Sequence, residues 1–275
     1  MSAPRWPRIS IVTPSFNQGP FLEQAIQSVL TQAYPDIELI VMDGGSTDGS
    51  VEILTKYGPR LKHWVSAADQ GPAGALNRGF QFATGEILGV INADDFYLPN
   101  AFTRVAQEFA AHPSADVISG HAYFARPSGE LGQPTFSDRW NLRHFQYGAC
   151  VLVQQSTFFR RAAFERAGGF RETGSLCWDM ELWADLARRG AAFHTLDAFL
   201  AAFRLHPGSI SGNVDFRTRR RDHARVVMAE MRGRPESQID RILHVFHRFL
   251  KFSRHPRRTL QQRSYFRSVL RRWRL

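Results

Sequence analysis

Two cysteines in 275 residues, Cys150 and Cys177, supply neither a disulfide framework nor the paired spacing of a zinc site. No apolar run approaches the ~20 residues that a membrane-spanning helix requires. The first residues carry Pro4 and Pro7 and pass straight into a strand-like stretch, without the apolar core and small-residue cleavage site of a signal peptide. The expected compartment is the reducing cytoplasm, with room for peripheral attachment to the cytoplasmic face of a membrane. No G-x-G-x-x-G follows the first apolar strand, which argues against a dinucleotide oxidoreductase, and no G-x-x-x-x-G-K-[ST] phosphate loop is present. Internal repeats and low-complexity linkers are missing as well.

What remains is an ordinary globular composition, 43% hydrophobic and 22% charged, with an uneven distribution of charge. Residues 1–212 hold 17 Lys/Arg against 20 Asp/Glu, whereas residues 213–275 hold 18 against 5. A slightly acidic body therefore carries a strongly cationic extension, and the net charge of +10 belongs to that extension alone.

The body alternates strand and helix. Ile9–Thr13, Ile37–Met42, Leu61–Ala67 and Glu86–Ile91 are short apolar runs bounded by turn residues, and they read as strands. Between them, helical spacing runs from Pro20 to Leu30, from Val51 to Tyr57 (with Ser46 or Asp48 as the cap) and from Pro72 to Ala83. A further helix is expected at Asn100–Ala111 and a strand at Asp116–Phe124. This order predicts an α/β fold with a mostly parallel sheet flanked by helices, whose ligands bind beyond the carboxyl ends of the strands. After about residue 125 the alternation breaks down, until a helix at Trp178–Arg189 and a strand at Phe199–Leu205.

Acidic residues recur at those strand ends: Asp43, Asp69, and the pair Asp94-Asp95 within Asn92-Ala-Asp-Asp95. Each alone is more often a helix cap or a turn. Together they suit hydrogen bonding to a nucleoside and ligation of a hard divalent cation, Mn²⁺ or Mg²⁺, shared with phosphates. Glycines in Asp43-Gly-Gly45 and Asp69-Gln-Gly71 allow backbone to approach a ligand, and Arg78 is within reach of a diphosphate. Asp179 and Glu181 fall in the first turn of a helix, where the dipole favours acids in any case.

Taken in order, Ile9-Ser-Ile-Val-Thr-Pro-Ser-Phe-Asn17, Val41-Met-Asp-Gly-Gly-Ser-Thr-Asp-Gly49, Asp69-Gln-Gly71, Leu76-Asn-Arg-Gly79, Ala83-Thr-Gly-Glu86 and Asn92-Ala-Asp-Asp95 resemble the family 2 glycosyltransferases of the GT-A fold, in particular bacterial polysaccharide-biosynthesis enzymes. The likeness covers residues 8–212, with a nucleotide-binding half at 8–105 and an acceptor half at 106–212. It implies that Pro14, Phe16, Asn17, Asp43 and Asp69 line a nucleotide pocket, that Asp94 faces ribose or metal, and that Asp95 binds the metal. Asp179 matches the family's base and Glu181 supports it. His206, in a late segment near the donor diphosphate, is a further candidate for the metal shell. Two positions depart from the pattern, Asn92 and Trp178, where many relatives carry acids. The implied activity is metal-dependent, inverting transfer of a sugar from a nucleotide-diphosphate donor, UDP first with GDP and dTDP open, to a saccharide or lipid-linked acceptor.

Paired carboxylates also serve glycoside hydrolysis, but that reading leaves the strand-end acids unexplained. The non-enzymatic alternative is a basic protein that binds nucleic acid or membrane on a nucleotide-binding fold. In the extension, Phe266, Val269, Leu270 and Trp273 alternate with arginines at helical spacing, which predicts contact of residues 264–275 with an anionic membrane rather than with nucleic acid. The upstream stripe Ile239, Ile242, Leu243, Phe246, Phe249 and Leu250 is expected to pack on the body.

Overall fold

The structure is a computed structural model that describes residues 6–174, 176–209, 214–254 and 260. The elements run β1 (Ile9–Ser15), α1 (Gly19–Leu30), β2 (Ile37–Asp43), α2 (Ser50–Tyr57), β3 (His63–Ser66), α3 (Pro72–Phe82), β4 (Ile87–Val90), β5 (Phe96–Tyr97) and α4 (Ala101–Ala111). They continue with β6 (Val117–Ala125), β7 (Leu131–Thr135), α5 (Leu142–Gln146), β8 (Thr157–Arg160), α6 (Arg161–Ala167), α7 (Trp178–Arg188), β9 (Phe193–Arg204), α8 (Val214–Arg232) and α9 (Gln238–Arg254).

Alternation along the strands divides the interior into two cores. Ile9 and Ile11 of β1, Leu39 and Val41 of β2 and Ile87 of β4 face one side, where they meet Leu22, Ile26 and Val29 of α1, Leu54 of α2 and Phe102 and Val105 of α4. Val12, Ile40, Met42, Leu88 and Val90 face the other, against Leu76 and Phe80 of α3, Phe164 of α6 and Leu182 and Trp183 of α7. A period-two pattern on each strand thus meets a 3.6-period stripe on helices of both faces. Gly79 is required for this packing, because a Cβ there would lie 2.5 Å from Val12 Cγ1 and bar α3 from β1.

The sheet is ordered β3-β2-β1-β4-β8-β6-β9-β5, with β7 beside β6. The first four strands are parallel, as the alternation requires. Beyond β4 the sheet is mixed: β8 runs antiparallel to both β4 and β6, whereas β6 and β9 are parallel. The carboxyl end of β4 therefore opens onto a second half built from non-local strands. β9 also starts at Phe193, six residues before the expected Phe199; polar His194, Thr195 and Asp197 hide its first part from an apolar pattern.

The expected cap of α2 is also corrected. Gly49 occupies that position with a left-handed φ of 89°. Asp48 instead accepts from Gly19 N at 2.8 Å, and Ser46 Oγ accepts from Asn17 N at 2.7 Å, so both acts tie the β1–α1 loop to the β2–α2 loop.

The described part of the extension is docked on the body. Arg171, ahead of α7, pairs with Asp185 of α7 and with Glu230 of α8, and Arg232 donates to Gln146 O of α5. Among the described residues no helix is long and apolar enough to cross a membrane.

Candidate active site

A cleft of about 560 Å³ opens where the parallel half of the sheet meets the mixed half. Pro14 and Phe16 at the end of β1, Asp69 before α3, and Asn92-Ala-Asp94 after β4 form one wall. Gln154 and Gln155, leading into β8, Trp178 and Asp179 of α7, and Phe203 of β9 form the other. Arg220 of α8 completes it, so the cationic extension contributes a side chain to the cleft.

Asp94 and Asp95 are adjacent in sequence but occupy different environments. The Asp94 carboxylate faces the cleft, with Oδ2 3.0 Å from His206 Nε2. His206 is itself mostly buried and held against the Phe21 ring at 4.7 Å. Asp95 points inward, 1% exposed, and accepts from Arg204 N at 2.8 Å, Gln155 Nε2 at 2.8 Å and Asn92 Nδ2 at 3.1 Å. Burial, and then the neighbouring Asp94 charge, push its carboxyl well above the ordinary range, against those hydrogen bonds. Asp95 is thus not on the cleft surface where the expected metal-ligating role requires it; its neighbour is.

The donors at the cleft fit a hard divalent ion. Asp94 Oδ2 and His206 Nε2, at a hydrogen-bond distance of 3.0 Å, are the carboxylate oxygen and imidazole nitrogen that Mn²⁺ accepts as ligands. Glu108, His112 and His194 also bring ligand atoms together, away from the cleft. Their two imidazoles are stacked at 3.8 Å and 25°, and both reach one Glu108 oxygen, His194 Nε2 at 2.7 Å and His112 Nδ1 at 3.3 Å.

Three further expected nucleotide contacts are not among the side chains that line the cleft. Asp43 is buried at the end of β2 and accepts from Ser46 Oγ at 2.6 Å, Ser46 N at 2.8 Å and Ser66 Oγ at 2.7 Å. Burial raises its carboxyl, but those hydrogen bonds outweigh burial and leave it below the ordinary range. Asn17 sits at a φ of 51° with Oδ1 accepting from Thr47 N at 3.0 Å, a loop tie rather than a cleft wall. Arg78 is half exposed on α3, 3.7 Å from Asp69, at the rim. Asp69 does line the cleft, while its Oδ1 fixes Gly71 N at 2.8 Å. Phe16 presents an exposed ring there.

On the far wall, burial raises the Asp179 carboxyl above its usual range, opposed by the nearby Arg220 and by the Met180 N–H at 2.8 Å. Glu181 is buried behind it, with Thr173 Oγ1 at 3.3 Å, and does not line the cleft. Sequence reasoning missed two cations here. Arg204 is 1% exposed beneath the Asp pair, its guanidinium 4.5 Å from the Phe21 ring, and burial depresses its pKa against the pull of Asp95 and Asp94. Arg220 lies in the basic run Arg219–Arg221, and no local pattern separates it from its neighbours.

Residues 10–168, more than half of the chain, match Glycosyl transferase family 2. The chain belongs to that family. This family 2 glycosyltransferase is 31% identical to a PGL/p-HBAD biosynthesis glycosyltransferase of Mycobacterium bovis over 168 residues, 60% of this chain and 63% of the relative. It is 37% identical to an uncharacterized glycosyltransferase of Nostoc sp. over 114 residues, 40% of this chain and 34% of the relative. The matches thus span less than two thirds of these relatives' own lengths. Solved structures share the fold. A mannosyltransferase from Pyrobaculum calidifontis, in complex with GDP-Man and Mn²⁺, superposes with a TM-score of 0.63 at 23% identity, covering 85% of this chain and 66% of that one. S. aureus TarS 1-349 in complex with UDP-GlcNAc gives 0.63 at 18%, covering 90% and 73%.

Proposed function

We propose that the chain transfers a sugar from a nucleotide-diphosphate donor, UDP in the first instance, to a hydroxyl of a saccharide or lipid-linked acceptor, with inversion at the anomeric carbon. The observation that carries this reading is one cleft with two chemically different walls: Asp94, backed by the buried His206, on one, and Asp179, raised in pKa, on the other. Phe16 offers an aromatic face to the base and Asp69 a carboxylate to the nucleoside. Asp94 and His206 would hold Mn²⁺ or Mg²⁺, which when bound offsets charge on the departing diphosphate.

The chemistry assigned to the chain's own residues is a proton transfer and its positioning. The Asp179 carboxylate takes the proton of the acceptor hydroxyl as the oxygen bonds to the anomeric carbon and the bond to the diphosphate oxygen breaks. Partial burial makes Asp179 a stronger base than a solvated carboxylate, and Arg220 opposes that rise. Glu181 and Thr173 support the helix turn that carries it.

The test is Asp179→Asn. It is expected to retain Mn²⁺-dependent binding of UDP, read by calorimetry beside GDP and dTDP, and to transfer sugar at least ~10²-fold more slowly. Transfer at the parental rate removes Asp179 from the base role. Failure of the parent to bind any of the three nucleotides overturns the donor site as a whole.

A further inference from the structure

Helix α9 docks by its less apolar side. Toward the body, Lys251 Nζ lies 2.6 Å from Asp138 Oδ2, the His247 ring stacks on Tyr147 at 4.8 Å and 6°, and Asp240 is buried beneath Arg234. Leu243 and Leu250 are only partly covered. Outward, Ile239, Ile242, Val245, Phe246 and Phe249 are 66%, 68%, 67%, 51% and 62% exposed. The sequence expectation that this stripe packs on the body fails for Ile239, Ile242, Phe246 and Phe249. An amphipathic helix held only by the protein core presents the opposite side to water. A contiguous row of large aliphatic and aromatic side chains in solvent marks an interaction surface.

We propose that this outward stripe of α9 docks the protein on an anionic lipid bilayer, lying in the plane of the interface. Charge decides the occupant. Arg241 and Arg248 are exposed on the same helix, and residues 213–275 carry 18 Lys/Arg against 5 Asp/Glu. A second copy would bring an equally cationic extension against this one. A bilayer with anionic headgroups accepts both the apolar row and the flanking arginines. At 17 residues α9 is ~25 Å long, and with no membrane-spanning helix among the described residues the contact is interfacial. The inference does not depend on the transferase reading. The two are joined in sequence, because α8, which places Arg220 in the cleft, leads into the docking helix.

The test is flotation of the full chain with phosphatidylcholine vesicles, with and without phosphatidylglycerol, and no nucleotide present. The parent is expected to float with the anionic vesicles. Ile242→Ser/Phe246→Ser/Phe249→Ser is expected to lower that partition by about tenfold or more, with helix content by circular dichroism as the fold control. Arg241→Gln/Arg248→Gln, which leaves the apolar row intact, is expected to weaken binding to anionic vesicles alone. Phe266→Ser/Trp273→Ser, in the segment 264–275 whose expected membrane contact lies outside the described residues, is expected to lower the partition less than the triple-serine change does. Equal flotation of parent and triple-serine chain overturns the proposal, as does loss confined to the Phe266/Trp273 pair. So does a parent that stays in the dense fraction, including one whose light scattering shows a dimer that the serine substitutions dissociate.

Discussion

Asp94 turns to the cleft and to His206, whereas Asp95 accepts from Arg204 N, Gln155 and Asn92 inside the protein. Isosteric amides should therefore separate the two. Asp94→Asn is expected to melt as the parent does while losing Mn²⁺-dependent nucleotide binding. Asp95→Asn sets an amide NH₂ against donors from Gln155 and Asn92 and is expected to cost about 1–3 kcal/mol in stability, read by urea unfolding. If Asp94→Asn unfolds and Asp95→Asn only loses ion binding, the ligand assignment reverses. Asp179 gives a second prediction, with a sign. Burial raises its pKa and Arg220 lowers it, so the acid limb of kcat/KM lies above the ordinary ~4 of an aspartate. Activity falls as pH drops through that raised value, because the base must be ionised. Arg220→Gln removes the opposing charge and is expected to move the limb upward; a limb that stays fixed or moves down shows that another group titrates. None of these partners could be read from local sequence. Gln155 and Arg204 stand 60 and 109 residues from Asp95, and only strand order brings them together.

Elements with a strong period were legible. β1, α1, β2, α3 and α4 fall within a few residues of their expected bounds, since each has an apolar face and a turn residue at either end. The weak places are those where polar side chains serve the fold. Asp48, Ser46, Asn17 and Asp43 resemble ligands or caps, yet they cross-tie two loops through hydrogen bonds to one another and to backbone. At the α8–α9 joint the same chemistry forms a capping box: Ser237 N donates to Asp240 Oδ2 at 2.7 Å, while Asp240 N meets Ser237 Oγ at 3.3 Å and Arg234 grips both carboxylate oxygens. Arg234 foremost holds the Asp240 pKa far below its usual value, despite desolvation. Its stabilising contribution is complete above the unfolded pKa near ~4 and is lost as pH falls toward the lower folded value. Asp240→Ala is expected to raise amide exchange along α9 at neutral pH while leaving β1 and β2 unchanged, and to narrow the difference from the parent as the medium is acidified. Uniform exchange across both regions would mean that α9 is not a separately anchored element.

At the scale of the whole molecule, the parallel half was visible because β1, β2 and β3 pair in chain order through βαβ units and β4 returns beside β1. The mixed half was not, because β8 is inserted between β4 and β6 against the order of the chain. That insertion is also what makes the cleft, whose walls come from opposite sides of the junction: Phe16, Asp69 and Asp94 from the parallel half, Gln154, Asp179 and Phe203 from the mixed one. A ligand held there bridges the halves, and its binding energy belongs to both. UDP with Mn²⁺ at a hundredfold excess over Kd is therefore expected to add about 2.7 kcal/mol to unfolding. Amide exchange should slow together in β1 and in α7, although the strand and the helix share no continuous stretch of chain. Slowing confined to β1 would leave the nucleotide on one wall alone and remove the link between donor binding and the position of Asp179. Slowing in both, abolished by Asp94→Asn, would make the junction of the two half-sheets the structural unit on which transfer depends.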